Sequence, residues 1–156
     1  MKMMKPLSPV LALILVAAAL CACGAPAPAG YDKTELVLSE YNGAEISPNI
    51  QIGIDGSVAG QEETTLTYTN LTDRAFTFTA LQRLEVQLDG EWYIVPDAQN
   101  FVTMQIFTLP GNYSVDDNFR VEGRYEALPQ GSFRIVKSFV DYDGNIEIAA
   151  AEFSVK

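Results

Sequence analysis

The chain has 156 residues, with 20 aspartates and glutamates against 10 lysines and arginines, no histidine, a formal charge of −10 and an apolar share of 48%. That length and composition suit one globular domain, and eight Phe, seven Tyr and one Trp argue against intrinsic disorder. The acidic balance disfavours nucleic acid, whose phosphates are held by clustered Lys and Arg, and without histidine there is no Ser-His-Asp triad, Cys-His dyad or His-ligated metal.

The amino-terminal segment reads as an address. Lys2 and Lys5 make a positive start, and Val10 to Leu20 is an apolar run of eleven residues, where a spanning helix needs about 20. The run ends in Leu20-Cys21-Ala22-Cys23, which resembles the lipobox of bacterial lipoproteins. The resemblance implies that residues 1–22 are a signal peptide, that Cys23 receives a diacylglyceryl group on its sulfur, and that cleavage falls before it. Ordinary secretion, with cleavage after Ala17-Ala18-Ala19 and both cysteines kept, is the competing reading. Losing Lys2 and Lys5 makes the mature chain two charges more negative, so the acyl chains rather than anionic headgroups would hold it to a membrane. With Cys21 removed and Cys23 lipidated, the folded part has no thiol and stands on core packing alone. Residues 23–31 then form the lipidated cysteine and an Ala/Pro tether, since Gly24 to Gly30 can neither make a helix nor join a sheet interior.

Residues 32–156 show apolar residues at spacing two with turn formers between, which predicts strands and no helix. Leu36 and Leu38 mark a first strand, Ile50, Ile52 and Ile54 a second, Leu66 and Tyr68 a third, and Phe76 and Phe78 a fourth. Leu84, Val86 and Leu88 alternate up to Asp89-Gly90, and Glu91 to Val95 follow, which predicts a type I′ hairpin. In that second arm Trp92 is expected in the core, in phase with Ile94, and Tyr93 on the opposite, exposed face. Val102, Met104 and Ile106 suggest a further strand ending at Leu109-Pro110-Gly111-Asn112, and Tyr113, Val115, Phe119 and Val121 one face of the next. A closing hairpin joins Phe133 to Val140 and Ile146 to Val155, and its change of apolar phase predicts a β-bulge near Ala149 to Ala151.

Over Glu62 to Lys156 the residues resemble the bacterial immunoglobulin-like domains of extracytoplasmic lipoproteins. The resemblance is carried by Leu66 to Asp73, Leu84-Glu85-Val86 with Asp89 to Tyr93, Leu109-Pro110-Gly111, and Leu128 to Lys137. It implies an all-β, two-sheet antiparallel β-sandwich and supplies no catalytic residue. Phe133 stands where related sandwiches often place the tyrosine of a corner, keeping the packing without the hydroxyl.

Candidate chemistry is sparse. Asp141, Asp143 and Asn145 offer three oxygen side chains for calcium, but they break the spacing of a helical calcium loop, and a hairpin turn selects the same residues unaided. Metal ions and cofactors are therefore not expected. Asp116-Asp117 and Glu62-Glu63 are the densest acidic spots, yet neighbours on a strand point to opposite faces, and solvated edge charge is the simpler reading. Lys137 alternates with Ile135 and Phe139 and is read as a lysine whose stem snorkels at a sheet edge. The arginines Arg74, Arg83, Arg120, Arg124 and Arg134 are dispersed among the acids.

Recognition is left to loops and surface aromatics: the segments 97–101 and 118–126, with Tyr93, Phe101, Tyr125 and Tyr142 as the possible surface. The expected function is a non-catalytic binding or scaffolding module, extracytoplasmic and lipid-anchored to the cell membrane, whose partner is an envelope protein or polymer. The alternatives are a carboxylate- or lysine-dependent envelope hydrolase, for which a concave pocket enclosing two acids would speak, and a protease-inhibitor-like sandwich.

Overall fold

Half-apolar strands bury their greasy faces by stacking two layers, and the computed structural model, which describes residues 30–56, 58, 63–99 and 105–156, has that form. Its strands are β1 (Val37–Leu38), β2 (Ile50–Asp55), β3 (Glu63–Asn70), β4 (Phe76–Thr79), β5 (Arg83–Leu88), β6 (Glu91–Ile94), β7 (Ile106–Leu109), β8 (Ser114–Arg120), β9 (Gly131–Asp141) and β10 (Ile146–Val155). One sheet runs β1-β6-β5-β9-β4-β7 with β10 also paired to β9, and the other runs β2-β3-β8. All of the ladders are antiparallel. Among the described residues there is no helix, and hence none long and apolar enough to cross a membrane. The signal segment, Cys23, most of the tether, Glu62, Phe101, Val102 and Met104 lie outside the described residues.

The core is built from the inner faces of both sheets. Leu66 and Tyr68 of β3 and Phe119 of β8 meet Leu84 of β5 and Phe133, Ile135 and Phe139 of β9, all completely buried. Tyr68 packs edge-on against Phe78 and Phe139 at centroid distances of 5.4 and 5.5 Å, the offset geometry that aromatic quadrupoles favour.

Strand β9 organises the larger sheet. Its pairing with β10 runs unbroken from Ile146↔Val140 to Val155↔Gly131, so the expected bulge is absent. The change of phase has another cause: Ile146 is left exposed, while Ala149, Phe153 and Val155 pack inward. Along its opposite edge β9 pairs first with β5 and then with β4. Between Thr77↔Val140 and Arg83↔Val136 the β4–β5 line advances six residues against four of β9, so the chain bows out at Ala80 to Gln82.

Turn chemistry fixes the β5–β6 hairpin. Asp89 and Gly90 take φ of 53° and 85°, the two positive values of a type I′ turn, and Leu88 pairs with Glu91. This register sets Tyr93 opposite Val86 on the core face and Trp92 opposite Gln87 on the outer face, which corrects the expected assignment of the two rings. Both are buried, because the outer face is covered as well. Residues 39–47 cross it as a strap, bonded to Trp92 at one side (Ser39 N donating to its carbonyl, 2.9 Å) and to Ile148 at the other (Ser47 N, 2.7 Å). Under the strap Arg134 Nε donates to Glu85 Oε2 at 2.7 Å, its guanidinium lies 4.4 Å from the Trp92 ring centroid, and Ser39 Oγ donates to the second Glu85 oxygen.

Two other phases differ from expectation. Leu109 pairs with Phe76 and faces the core, which turns Ile106 outward to 69% exposure. Tyr113 precedes β8 rather than joining its inner row, and is 62% exposed.

Candidate functional site

Three places on this frame gather chemistry-bearing side chains: a polar cluster inside the sandwich, the loop end that carries Tyr142, and a groove on the flank where the chain enters.

The internal cluster centres on Lys137. Its parity places it on the core face of β9 opposite the bow in β4–β5, and the ammonium donates to the carbonyls of Thr79 (2.6 Å), at the end of β4, and Leu81 (3.2 Å), within the bow. The rings of Tyr68 and Phe78 lie 5.1 and 4.9 Å from Nζ. Burial pulls the Lys137 pKa down to about 8, against the opposing charge of Asp117, whose Oδ2 is 3.8 Å away. Asp117 faces inward with Val115 and Phe119, and its Oδ2 accepts from Tyr68 Oη (3.0 Å) and Gln82 Nε2 (2.7 Å). Its neighbour Asp116 faces outward and accepts from Thr67 Oγ1 at 2.8 Å. The two aspartates therefore diverge as expected, but only one of them is a surface charge. The snorkelling expectation for Lys137 is likewise corrected: its side chain is 1% exposed, so no substrate carbonyl reaches the amine.

At the end of the sandwich where β3, β7 and β9 finish, the turns are locked to each other. Asn70 Nδ2 donates to the carbonyls of Arg74 (2.6 Å) and Pro110 (3.0 Å), and Asn112 N reaches Thr72 O at 2.7 Å. Arg74 bridges Asp141 (3.1 Å) and Glu147 (3.2 Å). The candidate calcium residues occupy this end. Asp141 accepts from the backbone of Asp143 and Asn145 and from the Asn145 side chain, and those bonds, the Asn145 ones foremost, hold its pKa below the usual carboxylate range. Among the described residues no cluster of three or more acids, cysteines or histidines is arranged to hold a metal ion. Tyr142 projects from this turn at 82% exposure, the only one of the three described recognition candidates at the surface. Tyr93 and Tyr125 are buried, at 9% and 8%, which corrects their placement.

The loops expected to carry recognition do meet. Two guanidinium nitrogens of Arg124 converge on Asp97 Oδ2 at 3.0 and 2.5 Å, Ala98 N donates to Arg124 O (2.8 Å), and Gln99 Nε2 donates to Gly123 O (2.9 Å). Arg124 lies 5.3 Å from the Tyr125 ring centroid, and Tyr125 stacks on Phe119, where burial pushes its phenol up to about 12. Tyr125 thus anchors the loop from beneath instead of contacting a partner.

Stapled this way, the two loops and residues 30–36 enclose a groove of about 580 Å³. Leu36, Val95, Pro96, Ala98, Ala127 and Pro129 give it apolar walls, and Asp32, Glu35, Asp97 and Glu126 give it carboxylates. Asp32 accepts from the amide and hydroxyl of Thr34, the amide foremost, which lowers its pKa, and Asp97 is committed to Arg124. At the rim Tyr31 leans its ring on Phe133, and burial, reinforced by the charge of Glu126, raises its phenol.

Sequence reasoning found the two loops of this groove but not its third wall, because nothing in the local pattern of residues 30–36 says which part of the sandwich they line. Asp117 was legible from parity, since it shares the odd phase of Val115 and Phe119.

No curated protein matches the chain. Among solved structures it is similar to the X-ray structure of the Northeast Structural Genomics Consortium target SoR45, at 16% identity over 70% of this chain and 88% of that one, with a TM-score of 0.38. The family model described as bacterial Ig-like domain matches residues 46–153, a span that starts upstream of the resemblance seen in the sequence and takes in part of the strap, β2 to β9 and most of β10. The chain belongs to the bacterial Ig-like domain family.

Proposed function

We propose that this protein is a lipid-anchored, extracytoplasmic binding module of the bacterial envelope that engages a partner through the flank groove. The observation that carries the reading is the groove itself: two loops far apart in sequence are tied together by the Arg124–Asp97 pair around an open, partly apolar concavity, while the Lys137 amine is sealed inside. The lipobox-like end at Cys23 and the Ala/Pro segment after it support the anchor. A partner bound at a preorganised groove loses little loop entropy on association, which suits a module with no chemistry to perform.

The test combines both halves. Native protein extracted from membranes should carry a diacylglyceryl mass on Cys23, and Cys23→Ala should move the chain out of the membrane fraction and abolish its cross-linked complexes in intact cells. An unmodified mature amino terminus beginning before Cys21 would contradict the anchor.

Carboxylates in the groove favour one second reading, a carboxylate-dependent hydrolase. Asp97 is held by Arg124 and Asp32 has its pKa lowered, which leaves Glu35 and Glu126 as the candidate pair, and a general acid of that kind needs its pKa raised. Glycan-releasing activity that Glu35→Gln and Glu126→Gln each abolish would establish this reading over the first.

A further inference from the structure

We infer that the occupant of the groove is a cationic, extended peptide segment displayed close to the membrane surface by a membrane-embedded partner. The inference deepens the binding reading above and rests on it.

Three observations converge. The first is charge: among the described lining residues Arg124 is the sole cation, and it is spent on Asp97, so Asp32, Glu35 and Glu126 leave a negative field over the concavity. Lys33, which lines a smaller recess alongside, is paired with Asp89 and does not offset it. A low-dielectric, concave wall concentrates such a field and draws a ligand of opposite sign.

The second is shape. The walls between the carboxylates are Leu36, Val95, Pro96, Ala127 and Pro129, so the site offers apolar contact along its length with charge at intervals. That pattern fits the aliphatic stems and ammonium heads of lysines spaced by apolar residues better than it fits a small inorganic cation. No group of metal-ligating side chains is present among the described residues.

The third is position. Gly30 and Tyr31 stand at the rim, and Cys23 lies seven residues before Gly30. With Cys23 in the bilayer, seven residues at roughly 3.3–3.6 Å each hold the rim within about 25 Å of the headgroups. The anchored domain, two charges more negative than the −10 of the full chain once Lys2 and Lys5 are gone, is repelled by anionic headgroups, whereas a cationic peptide is drawn to them. The groove therefore stands within reach of a cationic segment held at the headgroups, and it competes with the lipid surface for it.

The test uses the acylated full chain in nanodiscs of zwitterionic lipid. The probe is a fluorescent twelve-residue synthetic peptide that alternates lysine with leucine and proline, and its counterpart carries glutamate for lysine. The lysine peptide should bind, about tenfold more weakly at 300 than at 50 mM salt. Asp32→Asn, Glu35→Gln and Glu126→Gln combined should weaken it at least tenfold with the melting temperature unchanged, while Tyr142→Ala leaves it unaltered. Equal affinity for the glutamate peptide, no binding of the lysine peptide, or an unaffected triple variant would overturn the inference. If photo-cross-linking from the groove still traps a partner when the lysine peptide fails, the cationic ligand is refuted and the binding reading stands. If the cross-link is also missing, both fall.

Discussion

Burial perturbs the Lys137 ammonium strongly, and the sign of its effect on stability follows from linkage. Its folded pKa is about 8, below the ordinary lysine value, so between the two the unfolded chain binds more protons and stability rises with pH. The rise, integrated over that window, is of order 3 kcal/mol. Above about pH 10 the trend reverses, because Tyr68 and Tyr125 are kept protonated by burial in the folded state and ionise more readily once unfolded. Urea unfolding between pH 7 and 9.5 should show the upward slope in the wild type and lose it in Lys137→Met. Glu85 presents the opposite case, a fully buried carboxylate matched to Arg134. Removing one partner strands the other, so Glu85→Ala should cost about 3–5 kcal/mol, whereas converting both residues to methionine should restore most of the loss. Both residues were partly legible: Glu85 sits between Leu84 and Val86, and Arg134 between Phe133 and Ile135, so each charge stands between two core residues of its strand and faces away from that core. The dispersal of the arginines in the sequence hid that Arg134 is half of a buried pair, since that pairing depends on the β5–β9 register rather than on any local spacing.

At the scale of elements, short-range turn chemistry was readable and long-range cover was not. The Asp89-Gly90 turn fixes Leu88 against Glu91, and counting two residues further gives Val86 against Tyr93, enough to put Tyr93 on the core face. Apolar phase alone suggested the reverse because it assumes that one face of a strand is wet. Here the strap of residues 39–47 covers the second face, and no local feature of β6 announces a cover supplied from fifty residues earlier. The same assumption produced the unneeded bulge in β10, where Ile146 simply remains exposed. Turn packing yields a sharp contrast between two glycines. A Cβ on Gly111 would stand 2.2 Å from the Asp73 carbonyl oxygen, while Gly43, at φ +75°, has open space around it. Gly111→Ala should destabilise by about 3 kcal/mol or more, since backbone must move, and Gly43→Ala by about 1–2 kcal/mol from the left-handed conformation alone. Paired urea titrations at neutral pH separate the two.

Across the whole molecule, periodicity gave strands and no helix, the family resemblance implied that they form a two-sheet sandwich, and the family match agrees with it. The groove was half visible: the segment after Val95 and the segment before Leu128 were recognisable as long loops, but their union depends on the Arg124–Asp97 contact, and the wall from residues 30–36 on how the chain enters the sandwich. A pattern repeating every two residues encodes faces, not which loops share an end. Partner binding at this groove is the claim on which the functional account depends, and it is tested most directly by placing a photoreactive amino acid at Ala127, on the groove wall, and at Glu152, on the exposed outer face of β10, in the producing cell. The account predicts a discrete cross-linked product from position 127 that disappears in Cys23→Ala, and none from position 152. Equal products from both positions, or none from 127, would contradict it.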